Sequence, residues 1–478
     1  MEITKHQREL GLWVLALVLG VLIPSKILSL GYSPSDDALC HVAKAISGKP
    51  WSQILVLQDG YVNDEHPGWH AVLGALYKVL HCKPDILLGV SVLSLFVGFW
   101  LALVAWRKRP EAALVAIAIA GLACPANFDR LLLGRPFIVI VISFVLLLQM
   151  WSFKPKLSFK DMALTTVILG LSVWIHGSWY LFGIMVAGFA FAQQKLKTLQ
   201  LAFCWIAGTL LGATLTGDPI TYLQETTTHL FGVFGGHLQQ HMLVSELQCD
   251  SGDIAFALVF AGFVVLRVAR GAWSKIQLQN PIFIIAILGW VLGLQVSRFW
   301  SDWGLPAAII WIACEVEELL LQRKDKEASI SIILTGFICL FTYVSLTRDI
   351  QERWSRNLTT EYVSADNPHL IGWLPDKGGI VYNSSMLAFF KTFYANPTAD
   401  WRYMVGFEPG IMPMEDQQIL RQIQFYNSAD FAYKPWVDKM KQADRMMLLQ
   451  DTQPTVPGLE WQYAAKATWI GRLPRVTK

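Results

Sequence analysis

Apolar residues fall along this chain in long separated blocks, with charged residues confined to the stretches between them. A bilayer core takes about 20 apolar residues per helix, and somewhat shorter blocks can be completed by their flanks. On that basis Leu10–Leu30, Ile86–Trp106, Ala112–Ala126, Pro136–Trp151, Ala163–Ile175, Trp179–Ala192, Leu201–Thr214, Ile254–Leu266, Ile282–Val296, Leu305–Leu320 and Ser329–Leu346 are predicted as transmembrane helices, about eleven in all. The first block follows Lys5, His6 and Arg8 and lacks a small-residue cleavage site, so it is expected to be a retained helix.

The pattern changes after Thr347, where charges mix with Pro, Gly, Asn and Asp turn signals. GGIVYNS, WRYMVGF and RMMLLQ predict short strands, AFFKTFY and DQQILRQIQFY predict helices, and EWQYAAKATWIGR a late strand or hairpin. The expected fold class is therefore an α-helical polytopic membrane protein with a small C-terminal α/β domain, divided into residues 1–346 and 347–478. Composition agrees: of 478 residues, 54% are hydrophobic and only 16% charged, well under the ~25% of soluble domains. A net charge of +3 leaves no basic footprint for nucleic acid.

Charge also orients the chain. Arg107–Arg109, Lys154/Lys156/Lys160, Lys195/Lys197, Arg267/Arg270/Lys275 and Arg323/Lys324/Lys326 occupy alternate loops on the N-terminal side, which the positive-inside rule makes cytoplasmic. The external segments are then Gly31–Asp85, Asn127–Arg135, a turn at His176-Gly177, Gly217–Asp253, Ser297–Gly304 and the tail. Counting Pro67–His81 as a span would invert every later loop, so it is expected as an external interfacial helix.

The spans are nearly free of ionisable residues at their centres, which argues against a proton or ion path. The candidate chemistry lies outside. Asp36 and Asp37 open the first external loop, where they can cap the helix begun by ALCHVAKAI or serve as a base at the membrane surface. Lys44 follows in that helix, and Glu65, His66 and Pro67 come later in the loop. The second external loop supplies Asp129 between Asn127 and Arg130, with Arg135 beyond, either as a surface ion pair or as an acid with guanidinium donors for phosphate. Arg298 and Asp302 sit among Phe299, Trp300 and Trp303, tryptophans expected to anchor at the membrane interface. His237 and His241 are four apart and are the candidate metal ligands, though without the Glu of an HExxH motif. Cys40 and Cys82 share an oxidising loop, but Cys124 and Cys249 also lie near the outer face and the pairing stays open.

The ordered set of a first helix, a loop opening with paired acids, the ALCHVAKAISGKPW helix, His66-Pro67 before a second interfacial helix, Asp129 in the next short loop and Arg298 before Pro306 resembles the GT-C membrane glycosyltransferases. The layout is most similar to protein O-mannosyltransferase-like enzymes and the bacterial aminoarabinose transferase. Asp-Asp stands here where Asp-Glu is commoner, and His66 where one branch has lysine. The resemblance implies transfer of a sugar from a polyprenyl-phosphate donor to a glycan, lipid or protein acceptor on the extracytoplasmic face of a membrane, here a bacterial inner membrane. Asp36, Asp37 and Asp129 would be its catalytic acids. Arg130, Arg135, Arg298, His66, Glu65 and Lys44 would bind substrate, with a divalent metal as an optional cofactor. A polysaccharide polymerase or ligase, and a non-enzymatic transporter, are the alternative readings.

Overall fold

A computed structural model describes residues 5–61, 64–234, 253–271, 278–322 and 328–475. Its longer helices, in chain order, are α1 Lys5–Ser29, α2 Asp37–Ser47, α3 Pro67–Leu80, α4 Pro84–Val104, α5 Pro110–Ala123, α6 Pro125–Arg130, α7 Phe137–Phe153, α8 Phe159–Ile175, α9 Gly183–Phe191, α10 Lys195–Leu215, α11 Pro219–Phe234, α12 Ile254–Ala269, α13 Pro281–Gly293, α14 Leu305–Leu321 and α15 Ala328–Thr347. Each apolar block of the sequence is helical. Among the described residues, Glu9–Ser29, Pro84–Val104 and Lys195–Leu215 are by themselves long and apolar enough to cross a membrane, and the other apolar helices are shorter.

The chain divides into two compact units. The first comprises Met1–Leu30, Glu65–Gly68 and Val90–Arg353. Its helices begin where the sequence places start signals: proline at the first turn of α5, α6, α13 and α14, and a capping box at α8 in which Ser158 and Asp161 satisfy each other's amides. Helix α10 shows how such helices meet their two environments. Leu199, Phe203, Ile206 and Leu210 repeat at helical spacing and are all exposed, an apolar stripe suited to lipid. Gly208 and Gly212 lie on the side facing α8, where a Cβ at Gly208 would stand 2.6 Å from that of Leu169 and one at Gly212 would meet the Gly170 carbonyl. Small residues thus allow two backbones to touch, the packing that replaces hydrophobic collapse in lipid.

The second unit comprises Gly31–Asp64, Trp69–Gly89 and Trp354–Lys478. Its strands β1 Ile380–Asn383, β2 Arg402–Tyr403, β3 Arg445–Leu449, β4 Glu460–Ala465 and β5 Thr468–Arg472 form one sheet in the order β2-β1-β3-β5-β4. The first three strands are parallel and β5 with β4 is an antiparallel hairpin, the late hairpin of the sequence. Helices α16 Met386–Ala395 and α17 Met414–Phe425 match the two expected tail helices. Tyr382, Met446, Ile423 and the fully buried Trp436 form part of its core. The first loop joins this unit directly: Leu55 bridges Tyr403 in parallel, and Val56 donates to the Tyr403 carbonyl at 2.9 Å.

Candidate functional site

In the first unit, two arginines from distant segments meet on the buried carboxylate of Asp302. Asp302 lies in Trp300–Gly304, a π-helical turn ahead of α14. Helix α13 presses on that turn through glycine. A Cβ at Gly289 would collide with the Gly304 backbone, and one at Gly293 would stand 2.6 Å from the Trp300 Cβ. Such turns are rare and recur at functional sites, because they swing one side chain out of helical register.

Asp302 is 4% exposed and accepts from two arginines. Arg130, at the end of α6, donates Nε to Oδ1 at 2.8 Å and Nη2 to Oδ2 at 3.1 Å. Arg298, one turn earlier on the same segment, donates Nε to Oδ2 at 3.3 Å. Both guanidinium groups also lie over the Phe137 ring, at 4.4 and 5.7 Å from its centroid. One carboxylate thus holds two guanidinium groups in fixed geometry. Beside it is a cleft lined by Phe99, Cys124, Phe128, Phe137 and Ile309, with Arg130 and Asp302 in its wall.

Asp129 pairs with Arg353, which donates through Nε and Nη2 to the two carboxylate oxygens and through Nη2 to the Pro125 carbonyl at 3.2 Å. Asn127 and the Trp300 indole both donate to Asp253, the residue capping α12. The structure thus brings Arg130 and Arg298 together on one carboxylate and gives Asp129 a separate partner. Trp300 and Trp303 are buried among Phe256, Phe144 and Phe182 and are core residues, in place of the expected interfacial anchors. Also in this unit, the His66 ring packs edge-on against His176 with centroids 4.6 Å apart, and the Glu65 carbonyl accepts from Gly177 at 3.0 Å. These contacts fix the loop segment ahead of α3 on the turn after α8.

In the second unit, Asp36 caps α2, accepting from the Ala38 amide at 3.3 Å, and Asp37 is the first residue of that helix. The helix closes on Gly48, whose φ of 61° is the left-handed conformation of a C-cap. Lys44 lies in its last turn, 3.9 Å from Asp64 and over the Trp51 ring. Burial pushes the Lys44 pKa down, with Asp64 opposing. Burial, with the Asp37 and Asp64 charges, pushes the Cys40 thiol well above its usual value, so it stays protonated. Cys40 and Cys82 are free thiols, as are the other described cysteines.

His237 and His241 lie outside the described residues. Among the described residues, no group of three His, Cys, Asp or Glu is placed to hold a metal ion. The sequence reading had no means of finding Arg353 or Asp253, which come from segments remote from Asp129 and Trp300. Asp302 carried one signal, its spacing of four from Arg298.

No family model and no curated protein matches the sequence. Solved structures do resemble the fold. The oligosaccharyltransferase of Archaeoglobus fulgidus tethered with an acceptor peptide containing the NVT sequon aligns over 93% of this chain and 69% of its own, with a TM-score of 0.55 and 12% identity. Its apo form aligns over 93% and 70%, at 0.56 and 11%. The archaeal oligosaccharyltransferase AglB from Archaeoglobus fulgidus, in complex with an inhibitory peptide and a dolichol-phosphate, aligns over 90% and 68%, at 0.53 and 12%. The likeness shows that this chain shares the fold of these archaeal oligosaccharyltransferase structures.

Proposed function

We propose that this chain is an integral membrane glycosyltransferase that moves a sugar from a polyprenyl-phosphate donor to an acceptor on the extracytoplasmic face. The observation that carries this reading is the Arg130–Asp302–Arg298 group beside an apolar cleft. A structure of the same fold is in complex with a dolichol-phosphate, which supports a donor of that class.

Transfer requires a base for the acceptor proton and positive charge for the departing phosphate. Arg130 and Arg298 are assigned to the phosphate, because the guanidinium fork matches phosphate oxygens and Asp302 holds both heads ready. Arg135, His66, Glu65 and Lys44 are assigned to the remainder of the donor and acceptor. Asp36 or Asp37 is the base and Asp129 orients the acceptor, with Arg353 fixing its carboxylate. Residues 1–346 are read as a transmembrane catalytic domain of eleven spans with a cytoplasmic N-terminus, in a bacterial inner membrane. Residues 347–478 are read as a periplasmic domain.

Proteoliposomes carrying polyprenyl-phosphate sugars test the assignment. Replacing the base by Asn should slow transfer about 100-fold or more. Near-normal turnover by D36N, D37N and D129N alike would refute it.

A further inference from the structure

The second unit holds a chain of three ionisable side chains, two of them buried, that the phosphate site does not use. Asp64 Oδ2 lies 2.6 Å from Nδ1 of His70, and Nε2 of His70 lies 2.9 Å from Nδ1 of His41. Both imidazoles are buried, His41 at 7% and His70 at 8% exposure. A carboxylate can only accept, so Nδ1 of His70 carries the proton shared with Asp64. In the neutral ring, Nε2 of His70 must then accept, and Nδ1 of His41 is the donor to it. With His70 neutral, the His41 tautomer has its lone pair on Nε2. The order of the three groups follows from the two distances and the chemistry of a carboxylate.

The surroundings are specific. Lys44 stands 3.9 Å from the same Asp64 oxygen, and the Trp51 ring meets His70 edge-on at 5.9 Å. Helix α2 also carries Cys40 and Asp37, and α16, which packs on α2, carries Lys391 and Tyr394. Asp37 precedes His41 by four residues on α2, so the two share one helix face a turn apart.

We propose that His41 and His70 form a proton relay that takes the acceptor's proton from Asp37 and carries it toward Asp64. The relay rests on the reading of Asp37 as base. The acceptor oxygen or nitrogen bonds to the anomeric carbon, the carbon–oxygen bond to phosphate breaks, and its electron pair stays on the phosphate. The acceptor proton passes to the Asp37 carboxylate and then to Nε2 of His41. The proton on Nδ1 of His41 moves to Nε2 of His70, and the resulting imidazolium is balanced by Asp64. Loss of one proton to solvent water balances the count, and both rings then return to their starting tautomers before the next turnover. His41 and His70 act through Asp37 and do not themselves touch the sugar.

The full chain in lipid nanodiscs, labelled with ¹⁵N-histidine, provides the test. His41→Gln and His70→Gln assign the signals. The relay predicts a nitrogen–nitrogen coupling across the hydrogen bond between Nδ1 of His41 and Nε2 of His70. It also predicts an unprotonated shift for Nε2 of His41, and displacement of that signal in Asp37→Asn. Absence of the coupling, or a protonated Nε2 on His41, overturns it. Should either glutamine variant fail to fold, the comparison of wild type with Asp37→Asn still decides. Asp37→Asn that is dead in transfer with unmoved His41 signals removes the relay and leaves the base reading. Asp37→Asn with normal transfer removes the base reading and the relay with it.

Discussion

The Arg130 guanidinium meets the Asp302 carboxylate at two points across 172 residues of sequence, joining the short helix α6 to the π-turn ahead of α14. Both side chains are largely buried, and Arg298 shares the same carboxylate. Breaking a buried pair by removing one partner strands the other charge and costs about 3–5 kcal/mol. D302N should therefore lower the thermal midpoint of the purified protein more than R298Q does, because it takes the shared carboxylate from both arginines where R298Q leaves the Arg130 pair intact. R130K keeps the charge but loses the two-point fork, and should fall between wild type and R130Q. Equal midpoints for D302N and wild type would show that the pair is not what holds this turn.

Gly289 tests the same geometry from the opposite side. Its Cα faces the Gly304 backbone so closely that a Cβ would come within 2.6 Å of the Gly304 amide nitrogen. G289A should cost about 1–3 kcal/mol by overpacking and shift the π-turn that presents Asp302. Unfolding midpoints check the first effect, and a paired drop in lipid-phosphate affinity checks the second. G262A, inside α12 where a Cβ meets nothing within 4 Å, is the control and should not lower the midpoint.

The segment that delivers Arg353 to Asp129 is strained. Gln351 and Glu352 are consecutive left-handed residues with φ of 55° and 57°, a conformation that costs a non-glycine residue about 1–2 kcal/mol. Q351G should leave stability unchanged or raise it slightly, and Q351V should lower it by more than 1 kcal/mol, since a β-branched side chain fits that region worst. Chemical denaturation of the three proteins measures the order, and a Q351V as stable as Q351G would contradict it.

Asp161 supplies a pH prediction. Hydrogen bonds from Lys154 and then from the Ser158 amide and hydroxyl lower its pKa to about 2. Its folded value is thus depressed, so the stability it contributes is present above the ordinary carboxylate value near 3.9 and is lost as pH falls toward 2. D161N should flatten that part of the acid unfolding curve and leave the curve above pH 5 parallel to wild type. S158A removes the cap's side-chain bonds and should cost about 1 kcal/mol at neutral pH.

Much of the framework was legible because membrane helices announce themselves by apolar length. The blocks from Leu10 to Leu346 are helical, and the tail strands and helices fall where turn residues delimit them. The role of Asp36 as a cap was equally legible, since the acid directly precedes an amphipathic run. Partners distant in sequence were not. Nothing near Asp129 points to Arg353, and nothing near Asp253 points to Trp300, because those pairs exist only once the helices are packed. Trp300 and Trp303 misled for a physical reason: an aromatic cluster between two apolar spans has the composition of an interfacial belt, and only packing against Phe144, Phe182 and Phe256 makes it core.

The central claim is that Arg130 and Arg298 bind the phosphate of a lipid-linked donor. Equilibrium binding of a polyprenyl phosphate to the full chain in nanodiscs tests it most directly, with wild type, R130Q, R298Q and the double variant compared at fixed salt. Each charge-assisted contact is worth about 1.5–3 kcal/mol, so each single variant should weaken binding at least about tenfold and the double variant further. Wild-type affinity retained in the double variant would contradict the account.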